Sequence, residues 1–234
     1  MKELQTDVLK DPETLAQSAA EWLAAAAKAS QDRFVVALSG GSTPKRMYQI
    51  LAGMDLPWRR THWFWGDERF VPPDDALSNY RMVREALFAH ASIPAENIHP
   101  VPTQGLEPEA AAAAYEAELK RFYGSDRLDP TRPLFDITLL GLGPDGHTAS
   151  LFPGTAVLAE RHKWVAAVIG AKDEARITFT YPLLESSRHI AFLVAGAEKQ
   201  RMLGLLRGGD TGIPAGRLAK EHVRVFADSA ATGR

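Results

Sequence analysis

Three glycine-bearing turns hold the residues best equipped for chemistry in this 234-residue chain. The first, Ser39-Gly40-Gly41-Ser42-Thr43, follows a short apolar run and ends at Pro44. Its glycines let the backbone approach a ligand closely, and the free N–H groups of a helix start favour an anion. Two serines and a threonine add hydroxyl donors, a set that suits a phosphate monoester. The same residues also make a plain tight turn with a Ser/Thr cap. The GxxxxGK spacing of a P-loop is absent.

The second turn, Gly66-Asp67-Glu68-Arg69, follows a tryptophan-rich run. Two carboxylates and a guanidinium there can do acid–base work or bind a polar substrate, and they equally form a surface ion-pair cluster. The third, Gly141-Leu142-Gly143-Pro144-Asp145-Gly146, fits GxGxxG. It is not read as a dinucleotide fingerprint, because Asp145 would put a carboxylate where a pyrophosphate sits. Instead the glycines present Asp145 and His147. The small residues Gly146, Thr148, Ala149 and Ser150 leave the imidazole accessible. With a reference pKa of ~6.5, such a ring can take a proton from water at neutral pH, though a histidine there can also be merely exposed or capping. His62 and His189 read as structural or surface groups. Metal binding has little support, since His147 and Asp145 are too few ligands and no HExxH spacing occurs. Serine hydrolysis lacks its GxSxG.

The elements that position these turns follow from periodicity. Asp11-Pro12 starts a helix, with Leu15, Ala19, Trp22, Leu23 and Ala26 at helical spacing. Strands are expected over residues 34–38, 62–65, 135–140, 164–169, 177–180, 190–194 and 223–226. Helices are expected over 45–51, 78–89, 107–122 and 198–206. Strands apolar on both faces, alternating with helices, predict a doubly wound, mostly parallel α/β sheet. Residues 1–234 are read as a single α/β domain, for no linker, repeat or low-complexity segment interrupts them. Ligands of such sheets sit beyond the carboxyl ends of the strands, where all three turns lie.

Composition narrows the class. Apolar residues make up 45% and charged residues 24%, which argues against disorder. A formal net charge of −2 gives no electrostatic footprint for nucleic acid. The polar stretch 1–10 has no signal-peptide core, and no apolar run reaches the ~20 residues of a membrane span. With no cysteine in the chain, a reducing, cytoplasmic setting is expected.

Taken together, the turns are far more specific than any one of them. The sequence resembles the 6-phosphogluconolactonases, within the wider group that includes glucosamine-6-phosphate deaminases. The resemblance is carried by Leu38-Ser39-Gly40-Gly41-Ser42-Thr43-Pro44, by Trp65-Gly66-Asp67-Glu68-Arg69-Phe70-Val71 with Ser78-Asn79-Tyr80, and by the run from Leu140 through Gly146-His147-Thr148-Ala149-Ser150 to Pro153. It continues in Arg176-Ile177-Thr178 and Gly196-Ala197-Glu198-Lys199. It implies a fold like the deaminase and ribose-5-phosphate isomerase group, and hydrolysis of 6-phosphoglucono-δ-lactone in the oxidative pentose phosphate pathway without a cofactor. It further implies that His147 activates water and Asp145 orients the ring. The backbone of residues 40–43, Arg176 and Lys199 would hold the phosphate, with Ser39 and Asp67 also on the substrate. Arg69 would contact the phosphate or the lactone oxygens, and the sequence does not choose between them.

Two other functions remain to be weighed. The deaminases resemble this chain but carry DGHIAFNEP at the histidine turn, with glutamate where this chain has Phe152, and an aromatic residue in place of Arg69. A non-catalytic sugar-phosphate sensor would need the first turn but neither Asp145 nor His147. Oligomeric state is not legible. A carboxylate at position 152 would sit near His147 and raise its pKa, leaving less free base at neutral pH. Phe152→Glu should therefore reduce lactone hydrolysis without by itself creating deaminase activity; an unchanged rate would remove this reason for the phenylalanine.

Overall fold

In the computed structural model, residues 4–218 and 222–234 are described. Residues 1–3 of the polar N-terminal stretch lie outside them. In chain order the strands are β1 (Gln5–Leu9), β2 (Phe34–Leu38), β3 (Thr61–Trp65), β4 (Asp67–Arg69), β5 (Ile98–His99), β6 (Phe135–Leu140), β7 (Val165–Val168), β8 (Arg176–Phe179), β9 (Ser187–Val194) and β10 (Val223–Asp228). The α-helices are α1 (Pro12–Ala29), α2 (Ser42–Ala52), α3 (Asn79–Ala86), α4 (Pro108–Tyr123), α5 (Tyr181–Glu185), α6 (Gln200–Gly208) and α7 (Ser229–Thr232).

Local chemistry sets these limits. Asp11 caps α1 by accepting the Thr14 N–H at 2.8 Å, Pro12 occupies its first turn, and Leu15, Ala16, Ala19, Ala20 and Leu23 form its buried face. Trp22 and Ala26, also at helical spacing, are only partly buried against the core. The α4 helix stops at Gly124, which adopts the left-handed conformation at φ 80°.

Seven strands form a wholly parallel sheet in the order β1-β10-β9-β6-β2-β3-β5. Every residue of β2 is buried, as expected of an interior parallel strand covered on both faces. From β2 the chain winds outward through β3 to β5, then returns to place β6 on the other side of β2. The turns after β2 and β6 therefore diverge from neighbouring strands, which opens a crevice at the carboxyl edge.

The expected strands at 164–169 and 177–180 form, but outside this sheet. They appear as β7 and β8, which pair antiparallel, and β4 pairs antiparallel with β8 to complete a separate three-stranded sheet. An apolar run identifies a strand without identifying its partners. The β1 strand escapes a sequence reading for another reason: it is a polar edge strand paired, among the described residues, only with β10, so it carries no buried stripe.

The buried hydroxyl of Tyr115 accepts the Trp65 N–H at 2.9 Å and donates to the His99 carbonyl at 3.1 Å, tying α4 to the ends of β3 and β5. Tyr115→Phe strands that N–H in a dry core, at a cost of about 1–3 kcal/mol. The melting temperature should fall by about 2–4 °C per kcal/mol. An unchanged thermal transition would show that the hydroxyl is not holding the strand ends.

Candidate active site

Four strand ends meet around a cleft of about 250 Å³. The turn after β2 supplies Ser39, Gly40 and Gly41, β4 supplies Asp67 and Arg69, and α3 supplies Asn79. The turn after β6 supplies Gly141, Leu142, Gly143, Pro144 and His147, joined by Ala149; Lys199, beyond β9, completes the wall.

The β2 turn is built for close approach. Gly41 has φ 109° and precedes α2, whose start carries no side-chain cap. Lys45 N–H bonds back to the Gly41 carbonyl, and Pro44 has no N–H, so the amides of Ser42 and Thr43 have no partner among the described residues at the helix start. The side chains of Ser42 and Thr43 are not on the cleft wall. Ser39 lines it, and its hydroxyl is buried with no hydrogen-bond partner among the described residues. A bare side chain at 40 is also required, because a Cβ there would stand 2.0 Å from Asn79 Oδ1.

The β4 carboxylates divide their roles by strand alternation. Asp67 and Arg69 face the cleft. Glu68 points the opposite way, 2% exposed, and accepts the N–H groups of Arg69, Asn79 and Tyr80, each at 2.7 Å, and the Ser78 hydroxyl at 3.1 Å. Burial pushes its carboxyl up, opposed by those backbone donors. Glu68 thus anchors the start of α3 and places Asn79, whose amide donates to the Asp67 carbonyl at 2.9 Å. Asn79 lies within a family-like motif, yet the sequence alone suggested no role for it. Arg69 is steadied by donating to the Leu77 carbonyl at 2.5 Å.

In the β6 turn the Asp145 carboxylate accepts both the His147 backbone N–H, at 3.1 Å, and the ring Nδ1–H. Burial works to raise the Asp145 carboxyl, but these His147 hydrogen bonds and the ring's charge outweigh it and hold the group below the usual carboxylate range. An ionised carboxylate only accepts, so the shared proton is assigned to Nδ1; in the neutral ring this leaves Nε2 as the acceptor nitrogen. The turn is braced by Gly143 N–H to the His147 carbonyl at 2.8 Å and by Thr148 Oγ1 to the Gly141 carbonyl at 2.9 Å. Phe152 packs beside the imidazole with ring centroids 4.7 Å apart, and the Lys172 ammonium lies 5.0 Å from the phenylalanine centroid.

The expected cations separate. Arg69 and Lys199 reach the cleft, and among the described residues no hydrogen bond or ion pair holds the Lys199 ammonium. Arg176 sits opposite Arg69 in the β4–β8 register, but its guanidinium is off the wall, held at 3.1 Å by Glu174. No group of three or more His, Asp or Glu among the described residues is placed to hold a metal ion.

A parallel α/β sheet with an anion-friendly turn, two cations and an oriented imidazole at its switch point defines a class of small-molecule sites. The chain belongs to the glucosamine-6-phosphate isomerase/6-phosphogluconolactonase family, whose pattern it matches over residues 10–227. It is 48% identical over 174 residues to a 6-phosphogluconolactonase of Nostoc sp., covering 74% of this chain and 71% of that one. Its fold superposes on a 6-phosphogluconolactonase from Thermotoga maritima with a TM-score of 0.83 at 32% identity, over 96% of this chain and 98% of that one. A monomeric glucosamine-6-phosphate deaminase shares the fold at a TM-score of 0.82 and 23% identity, over 98% of this chain and 99% of that one.

A Cβ at position 143 would lie 2.0 Å from His147 Nδ1. Gly143→Ala should push the ring off Asp145 and reduce turnover about 100-fold, the scale on which small misplacements act. Imidazole nitrogen NMR should show the Nδ1-protonated tautomer in the wild type and its loss in the variant. The same tautomer in both proteins would contradict the assignment.

Proposed function

We propose that this protein hydrolyses 6-phospho-D-glucono-1,5-lactone to 6-phospho-D-gluconate, with His147 as the base that activates water. The observation that carries the reading is the Asp145–His147 pair, whose Nδ1 contact leaves Nε2 as the acceptor nitrogen of the neutral ring, beside a cleft equipped for a phosphate. The relatives named 6-phosphogluconolactonase supply the substrate.

In this scheme His147 Nε2 takes a proton from water as the oxygen attacks the lactone carbonyl. The carbonyl π pair moves onto oxygen, and the ring C–O bond then breaks as the tetrahedral adduct collapses. The imidazolium returns its proton to the departing ring oxygen, and the new carboxylic acid ionises. Asp145 steadies the imidazolium. Arg69 is assigned to the developing oxyanion. The phosphate is assigned to Lys199, the backbone of Gly40 and Gly41, the amides of Ser42 and Thr43, and the unpartnered Ser39 hydroxyl. Asp67 accepts from the sugar. Arg176, engaged by Glu174, is given no direct contact. A δ-lactone already opens slowly in water, so one general base at ~10²–10⁴-fold plus oxyanion stabilisation suffices, without a covalent nucleophile or cofactor.

Phe152 offers no proton beside His147, which speaks against deaminase chemistry, and the Asp145–His147 pair has no use in a mere sensor. No helix among the described residues is long and apolar enough to cross a membrane. A cytoplasmic setting belongs to this proposal, on the cysteine-free composition.

With the spontaneous rate subtracted, His147→Ala should lose lactonase activity by ~10²–10⁴-fold while folding normally. A kcat within threefold of wild type would sink the assignment of the base. Ammonia release from glucosamine-6-phosphate at a rate comparable to lactone hydrolysis would overturn the function itself.

A further inference from the structure

The Asp67 carboxylate is held from one side only. Its Oδ2 accepts the Ser150 hydroxyl at 2.7 Å. Its other oxygen has no protein donor among the described residues, and the side chain is on the cleft wall. A carboxylate so placed is an acceptor awaiting donors, and neither a phosphate nor a carbonyl oxygen supplies one. A sugar hydroxyl does.

Ser150 is built into the frame. It is 1% exposed, and its backbone N–H donates to Thr178 Oγ1 at 3.1 Å; Thr178 stands opposite Asp67 in the β4–β8 register. Ser150 also ends the turn that carries His147, three residues further along the chain. Just before it, Ala149 has φ 45°, a left-handed conformation that side-chain-bearing residues adopt only when the surroundings enforce it. Thus one buried hydroxyl joins the turn bearing the imidazole to the strand bearing the carboxylate.

We infer that Ser150 is a positioning residue that fixes the Asp67 carboxylate as the reader of one ring hydroxyl of the substrate, and so sets that hydroxyl at a constant distance from His147. The inference deepens the functional reading above, and it predicts selectivity for hydroxylated rings rather than for the phosphate. A hydrogen bond to a charged group sets the expected scale, about tenfold to a hundredfold in affinity.

The probe is an unreactive ring, 1,5-anhydroglucitol 6-phosphate, together with its analogues lacking one ring hydroxyl each, titrated calorimetrically. For the wild type, removal of one particular hydroxyl should weaken binding about 10–100-fold, and removal of the others by much less. In Ser150→Ala that selective penalty should fall below about threefold while the other penalties persist, and adding Ser150→Ala to Asp67→Asn should change nothing further. Ser150→Cys, which keeps the packing and substitutes a weak donor, should behave like the alanine variant and guards against misfolding of either. The inference is overturned by a wild type indifferent to every deletion, by variants that retain the full penalty, or by variants that weaken all analogues alike. Because the ring does not react, these outcomes are independent of lactone hydrolysis, whose absence would defeat the functional reading alone.

Discussion

In a parallel sheet every strand ends at the same edge, so the turns that leave β2, β3, β6 and β9 open side by side. Everything placed in the cleft depends on that constraint. Residues as far apart in the chain as Gly40, Arg69, His147 and Lys199 share one wall because the strand order puts their turns next to one another. The switch between β2 and β6 supplies the room, and the gap needs no side chain removed from the core. The second, antiparallel sheet adds what the first cannot. Through β4 and β8 it brings Asp67 and Arg69 across the mouth of the crevice and backs them with Thr178.

Within that frame the glycines are steric requirements imposed by particular neighbours. Asn79 lies against Gly40, the His147 ring against Gly143, and Ile213 against Gly146, whose φ of 79° also demands glycine. The first two absences bring a polar side chain into the cleft wall at a distance that a methyl group would forbid. Close packing of this kind accounts for the GxGxxG spacing in the turn after β6. The spacing solves a packing problem around an imidazole.

Much of this was legible in the sequence. The runs that became β2, β3, β6, β9 and β10 are apolar on both faces, and the three turns stood out through glycine beside charged or hydroxyl residues. What stayed hidden depends on contacts between distant parts of the chain. Asp67 and Glu68 look alike in a motif, and only strand alternation in the three-residue β4 sends one to the cleft and the other beneath α3. Ser150 and Asp67 are 83 residues apart, so no local pattern pairs them. Asn79 gains its place from Glu68 and Gly40 together. In Arg176 the reverse occurred: a residue suggested by its motif is engaged by Glu174, two positions away, because the β7–β8 turn folds that carboxylate back upon it.

Precision at the strand ends rests on two buried tyrosines. When a chain leaves a sheet, its next backbone groups lose their ladder partners and must be satisfied elsewhere. Tyr48 meets this need after β2, where its hydroxyl accepts the Ser39 N–H at 3.0 Å and donates to the Ser39 carbonyl at 2.9 Å. Tyr115 does the same at the last residue of β3, accepting the Trp65 N–H at 2.9 Å. Burial raises both phenols above their ordinary range, so each stays a protonated donor as well as an acceptor. The two hydroxyls hold the roots of the β2 and β4 sides of the cleft in fixed positions. They do so from α2 and α4, and leave the amides of Ser42 and Thr43 open to a ligand. Rigidity is thus supplied from the core side and hydrogen-bonding capacity is kept on the solvent side, the division a preorganised site needs.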